Sequence, residues 1–276
     1  MSVFFKFLEN NTVHRRENDY QLVDPVKEHK IICEKISNRF SLSNKSKYAF
    51  ESLNVDLIFF RANKNLSTRK ELNRKCLIII DGLISKFRLS RDGKRHITSF
   101  YFPNEFVNLS SLFSDSGEYE LHTHTNCIAL SFQTSELATL AKSCPEWAHI
   151  LWQEFAQEFA IAQEWLINLG QRTGVEQIGN LLLEIAIRSK AITDARNVEF
   201  RLPLTQIDLA DTVGLSPVHT NRSLKILKSM SMLEISGRRV FIEDIHKLSN
   251  YVGFDPNYLD LNHKTLNNNI FLCRNF

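Results

Sequence analysis

Hydrophobic residues follow a strand-like rhythm in the first half of this chain and a helical one in the second. From about residue 57 to 132 the segments are short and separated by turn signals. Leu77-Ile78-Ile79-Ile80 runs into Asp81-Gly82, and Ile84-Ser85-Lys86-Phe87-Arg88-Leu89 alternates with period two. Arg91-Asp92-Gly93-Lys94 is a hairpin turn signal ahead of His96-Ile97-Thr98-Ser99-Phe100-Tyr101-Phe102, and Ile128-Ala129-Leu130-Ser131-Phe132 is a further half-buried strand. Many short strands with turns between them predict a β-roll or barrel rather than βαβ units. From residue 145 or 146 to about 169 the period changes. Leu151, Phe155, Phe159, Ala162, Leu166 and Leu169 fall at spacings of 4, 4, 3, 4 and 3, a near-heptad seam on a long helix, with Trp147, Trp152 and Trp165 adding apolar surface. Such a helix either covers its own domain or joins two chains.

Further on, the pattern predicts two short helices with a tight turn between them. Ile207, Leu209, Ala210 and Val213 form an apolar stripe on the first, with Thr205 as its N-cap. Gly214 suits the left-handed conformation that closes a helix, and Leu215 tucks under the turn. Ser216 caps the second helix, and Pro217 at its first position forfeits no hydrogen bond. Thr220, Ser223, Leu224 and Leu227 point inward at i, i+3, i+4 and i+7. Pro217, Val218, Asn221, Arg222 and Lys225 share the outer face, whose guanidinium, amide and apolar groups are the types that read base edges. This is a helix-turn-helix pattern, the alternative being an ordinary helical hairpin. Met232-Leu233-Glu234-Ile235 and Val240-Phe241-Ile242 then predict two strands joined through Ser236-Gly237-Arg238-Arg239, a wing suited to a phosphate backbone. Base contact falls to Pro217, Val218, Asn221 and Arg222. Phosphate contact falls to Thr205, Ser216, Lys225, Arg238 and Arg239. From Ser216 to Arg239 the cations are Arg222, Lys225, Lys228, Arg238 and Arg239, against Glu234.

The run from Leu202-Pro203-Leu204-Thr205-Gln206 to Ser216-Pro217-Val218-His219-Thr220-Asn221-Arg222 resembles the DNA-binding domain of bacterial Crp/Fnr-type transcription regulators. Gly237-Arg238-Arg239-Val240 and Gly253-Phe254-Asp255-Pro256-Asn257-Tyr258-Leu259 extend the likeness. The resemblance implies an α+β chain: an N-terminal β-roll of the cyclic-nucleotide-binding type, a long dimerisation helix, and a C-terminal winged helix-turn-helix. The implied division is an extension over residues 1–35, a β-roll sensor over 36–144, the dimer helix over 145–170, the DNA-binding domain over 171–259 and a tail over 260–276. It also implies a homodimer on a near-palindromic double-stranded operator, with RNA polymerase as a further partner. The dimer interface would use Leu151, Phe155, Phe159, Ala162 and Leu166.

Composition fits this plan. A chain of 276 residues with 43% hydrophobic content supports two ordinary cores, and its formal charge of +3 makes the basic patch local. No apolar run approaches a membrane span, and the charged, short start of the chain does not make a signal peptide. Five scattered cysteines (Cys33, Cys76, Cys127, Cys144, Cys273) suit a reducing cytoplasm. The sequence holds no nucleophile elbow, P-loop or dinucleotide fingerprint, so no enzyme activity is expected. The asparagine-rich end (Asn262, Asn267, Asn268, Asn269, Asn275) is expected to be a mobile tail.

The sensor departs from its cyclic-nucleotide-binding counterparts. Those use a Gly-Glu turn and a following Arg-Ser or Arg-Thr pair for the phosphate, whereas here the turn is Pro103-Asn104-Glu105-Phe106. No arginine occurs from His96 through Gln171, Lys142 is the one lysine, and Glu105, Asp115, Glu118 and Glu120 would repel an anion. A cyclic nucleotide is therefore not the expected effector. Glu118, Glu120, His122 and His124 alternate, so an unbroken strand would gather them on one face; His122 and His124 are the candidate metal ligands, though a solvent-facing strand has the same pattern. The cysteine cluster of an Fnr-type iron–sulfur sensor is missing, nothing points specifically to haem, and no cofactor is assigned. The reading is a sequence-specific DNA-binding transcription regulator. Its alternative is a small-molecule or metal sensor whose winged helix mediates protein interaction.

Overall fold

Asp24 opens the described chain as a helix cap, its side chain accepting the Val26 N–H ahead of α1 (Pro25–Phe40). The computed structural model describes residues 24–67, 72, 74–113, 119–189 and 196–259. The expected mobile tail, the first 23 residues, Asp115, Glu118 and Cys273 lie outside these. The chain forms two units. One holds the described residues up to Lys86 together with Phe100–Phe155; the other holds Phe87–Ser99 and the described residues from Ala156 onward.

The first unit continues with α2 (Asn44–Glu51), β1 (Asp56–Phe60), β2 (Lys64–Ser67), β3 (Lys75–Asp81) and the start of β4 (Ile84–Leu89). There follow the end of β5 (Arg95–Tyr101), β6 (Phe106–Val107), β7 (Glu120–Thr123), β8 (Cys127–Gln133) and α3 (Thr134–Ser143). Two four-stranded sheets result, in the orders β1-β8-β3-β6 and β2-β7-β4-β5. Register explains why β3 is apolar at nearly every position. Leu57 and Ile78 both pair with Leu130, while Ile58 and Ile79 both pair with Ala129. Because side chains alternate across a strand, these two rows face opposite sides. The Leu130 row joins Phe50, Phe132, Trp147 and the inner faces of the helices, and the Ala129 row joins Leu66, Ile84, Tyr101 and Leu121. The sheet is thus buried on both faces. Phe50 stacks on Trp147 at 4.3 Å between ring centroids, and the indole Nε1 donates to the Ser46 carbonyl at 2.8 Å.

Helices α1, α2 and α3 are the part of this unit that the strand pattern did not predict. Helix α1 runs through the boundary drawn at residues 35 and 36, and its Ile32, Cys33 and Ile36 are core residues. The described cysteines are all free and buried.

Besides the end of β4 and the start of β5, the second unit contains the end of α4 (Pro145–Gln171), then α5 (Gly174–Arg188), β9 (Val198–Arg201), α6 (Gln206–Val213) and α7 (Pro217–Ser229). After these come β10 (Leu233–Ser236), β11 (Arg239–Ile242) and α8 (Ile245–Val252), with a 3-10 turn over Pro256–Leu259. Thr173 and Glu176 close a capping box at the start of α5, whose next ten positions from Gln177 are all buried. A Cβ on Gly179 would lie 2.5 Å from Val252 Cγ1, so the approach of α5 to α8 requires glycine there.

Glu184 of α5 is 2% exposed and serves three donors. Trp165 Nε1 and the Tyr258 hydroxyl donate to Oε2 at 2.7 and 3.0 Å, and Arg188 Nη1 donates to Oε1 at 2.7 Å. Burial, then the Glu184 charge, hold the Tyr258 hydroxyl well above its ordinary pKa, so it stays protonated and donating.

Candidate nucleic-acid interface

Helix α6 begins at a reciprocal cap. Thr205 Oγ1 accepts the Asp208 N–H at 3.1 Å, while Asp208 Oδ2 accepts the Thr205 N–H at 2.8 Å and its hydroxyl at 2.7 Å. Gly214 ends the helix at φ 64°, and the Leu215 N–H reaches back to the Ala210 carbonyl at 3.1 Å. Leu215 is half-buried and lies beside Gly174 of α5. Leu209, Ala210 and Val213 are buried as their spacing predicts. Ile207 is not: it is 57% exposed, and Asp208 takes the inward position. The apolar stripe is one residue narrower because the cap turns the Asp208 carboxylate inward.

Ser216 caps α7 by accepting the His219 N–H at 3.3 Å, with Pro217 at the first position. Thr220, Ser223, Leu224 and Leu227 are buried against the unit's core. Pro217, Val218, Arg222 and Lys225 are exposed, and Asn221 is half-buried with its Nδ2 donating to Gln206 Oε1 at 3.0 Å. All four base-contact candidates therefore sit on the outward side of one helix.

The wing strands β10 and β11 pair from Leu233↔Ile242 to Ser236↔Arg239, with Gly237 and Arg238 between them. A third strand, β9, pairs with β11 and was not predicted, because four residues ahead of Leu202-Pro203 are too short to show a period. It changes the charge picture. Arg239 Nη1 lies 2.7 Å from Glu199 Oε1 on β9, and Arg201 stands across from Arg239. Arg238 and Arg201 are exposed. Arg201 thus joins the basic edge, which the sequence reading missed by stopping at Leu202. Thr205 and Ser216 are exposed at the two caps. Lys228 Nζ donates to the Ile235 carbonyl at 3.3 Å, tying α7 to β10.

Residues 57–144 match the cyclic nucleotide-binding domain family, and residues 176–251 match the Crp-like helix-turn-helix domain. The chain belongs to the Crp/Fnr family of transcription regulators. Among curated proteins, this Crp/Fnr regulator is 27% identical over 186 residues to the nitrogen fixation regulation protein FixK of Azorhizobium caulinodans, covering 67% of this chain and 74% of that protein. It is 25% identical over 181 residues to the transcriptional activator protein FnrL of Cereibacter sphaeroides, covering 64% and 72%. The solved structure of FixK2 from Bradyrhizobium japonicum matches with a TM-score of 0.64 at 23% identity, covering 72% of this chain and 97% of that one. The Crp/Fnr regulator binds DNA through its helix-turn-helix, and no helix among its described residues is long and apolar enough to cross a membrane.

On the long helix α4, Phe155, Phe159, Ala162 and Leu166 are exposed. Leu151 is not on that open stripe: it is 3% exposed inside the first unit's core, and the neighbouring Trp152 is the exposed residue, near Phe113. Trp147 and Trp165 are likewise buried rather than on the surface, the latter drawn in by Glu184.

In the β-roll of this Crp/Fnr regulator, Asn104 takes the left-handed conformation at φ 73° where the family's turn has glycine, and Glu105 Oε2 accepts the Phe102 N–H at 3.0 Å. The predicted unbroken strand through His124 does not form: β7 ends at Thr123. His122 Nδ1 meets Asn65 Oδ1 at 2.6 Å, the buried His124 Nε2 meets Ser85 Oγ at 2.8 Å, and the two rings pack edge-on at 4.9 Å. Among the described residues no group of three or more His, Cys, Asp or Glu is placed to hold a metal ion.

Proposed function

We propose that this Crp/Fnr regulator binds a near-palindromic operator as a homodimer, reading bases with the outer face of α7. The carrying observation is that face: Val218 and Arg222 project from a helix pinned by Ser216 and by the α6 turn, with Asn221 beside them. In the major groove a guanidinium pairs with guanine O6 and N7, an amide pairs with adenine, and an apolar group meets a thymine methyl. Lys225, Arg238, Arg239, Thr205 and Ser216 serve the phosphates, with Arg239 exchanging its exposed Glu199 partner for a phosphate. Dimerisation uses the stripe of Phe155, Phe159, Ala162 and Leu166 on α4, with Trp152 in place of Leu151. Its place of work is the cytoplasm, with RNA polymerase as a further partner.

The effector is not a cyclic nucleotide. The sensor between residues 96 and 171 brings no arginine to a desolvated phosphate. Selection of binding sites from random double-stranded DNA, followed by gel-shift titration, tests the central claim. A near-palindromic consensus with half-sites about one helical turn, roughly 34 Å, apart is expected. Absence of any enriched site defeats it. Calorimetric titration of cyclic AMP and cyclic GMP is expected to give no saturable heat.

A further inference from the structure

The second unit is built from two separate stretches of sequence, and the shorter one, residues 87–99, makes a specific bond to the longer. Arg95, the first residue of β5, donates from Nε to Asp211 Oδ2 at 2.7 Å and from Nη2 to Asp208 Oδ1 at 2.5 Å. All three side chains are largely shielded: 22% exposed for Arg95, 7% for Asp208 and 23% for Asp211. The guanidinium is further steadied by the Phe87 ring, 6.0 Å away. The two aspartates lie three apart on one face of α6, so without a cation between them they repel each other.

The bond reaches the DNA-reading helix in three steps. Asp208 gives one oxygen to Arg95 and the other to the Thr205 cap. Thr205 caps α6, whose first residue is Gln206, and Gln206 Oε1 accepts from the Asn221 amide of α7. A planar guanidinium that engages two carboxylates fixes both position and rotation of a helix, which a lysine ammonium does not. We propose that Arg95 is a positioning residue for DNA recognition: by clasping Asp208 and Asp211 it sets the first helix of the helix-turn-helix, and so the amide that Asn221 presents to a base. The proposal rests on the reading of α7 given above.

The test uses full-length protein and an operator selected with the unmutated chain, titrated by fluorescence anisotropy beside a scrambled duplex. Arg95→Ala is expected to lower operator affinity roughly tenfold while binding to the scrambled duplex changes little. A fold that is merely weakened lowers both alike, so the ratio separates positioning from stability. Exchanging the charges, Arg95→Asp with Asp211→Arg, is expected to recover part of the ratio. An unchanged ratio for Arg95→Ala overturns the proposal, as does an equal loss on both duplexes. Should Arg95→Ala fail to fold, Asp211→Asn decides in its place, because it releases one side of the clasp and leaves the Thr205 cap intact. A lowered ratio supports the proposal and an unchanged one overturns it. Failure of the unmutated chain to select any operator instead defeats the DNA reading itself.

Discussion

Glu154 on α4 is almost wholly out of solvent, with the Arg39 guanidinium 2.6 Å from its Oε1. Burial pushes its carboxyl from 4.5 to about 7, over the opposing pull of Arg39 and with a further push from Glu105. The folded protein therefore holds this proton more tightly than the unfolded chain does. The stability it contributes is fully present below about pH 4.5 and is lost as pH rises through about 7. Glu154→Gln cannot ionise, so its stability relative to the parent should increase from about pH 5 to pH 8, by up to about 3 kcal/mol. Urea melts of both proteins across that range check it, and a difference independent of pH counts against it. At the reading face, Arg222→Ala should cost roughly 1–3 kcal/mol on the operator and relax preference at one base pair per half-site. Arg238→Ala should instead weaken all sequences and reduce the slope of log affinity against log salt by about 0.9. Operator discrimination unaltered by Arg222→Ala would show that the base is read elsewhere.

At the scale of elements, the helix-turn-helix was legible because its signals are local. Thr205, Gly214, Ser216 and Pro217 act within a few residues of themselves, and each does in the fold what its position in the sequence indicates. Burial was less legible. Leu151 and Phe155 share one seam in the sequence, yet Leu151 is claimed by the β-roll core and Phe155 is left outside. No periodicity distinguishes two neighbours of one helix stripe when only one has a domain beneath it. The run Gly253-Phe254-Asp255-Pro256-Asn257-Tyr258 was recognised by likeness alone. Its physical reason is the Tyr258 hydroxyl, which closes on Glu184 from 74 residues away. Glu184→Ala removes the buried carboxylate that Arg188, Trp165 and Tyr258 share, and should destabilise the second unit by about 3–5 kcal/mol. Glu184→Gln keeps an acceptor and should cost less. Thermal melts order the two, and equal losses would mean that volume rather than charge and hydrogen bonding sets the cost.

For the whole molecule, the uncovered stripe on α4 sets the expectation for assembly. Trp152 and Phe159 are 64% and 59% exposed, a large apolar area for a single chain to leave in water. Trp152→Glu with Phe159→Glu should give monomers by sedimentation at micromolar concentration and abolish operator binding, while each chain remains folded. A parent chain that is monomeric under those conditions and still binds operator would remove the dimer from the account. The strand order of the two β-roll sheets was not legible, since pairing such as β1 with β8 joins segments some 70 residues apart. Only the alternation within β3, β4, β5 and β8 could be inferred.

The Arg95 clasp also bears on how the protein is made. Arg95 leaves the ribosome 113 residues ahead of Asp208. At about 5–20 residues per second, that is a wait of roughly 6–23 s before its partner is synthesised. During that interval the β4–β5 hairpin must hold its shape on local hydrogen bonds, such as those between Ser90 and Lys94. A gene fragment that starts at α4 encodes every residue of the winged helix but not the arginine of the clasp. Such a fragment would carry two unneutralised aspartates on its first DNA-binding helix, and its reading helix would be complete in sequence but set loosely on its base.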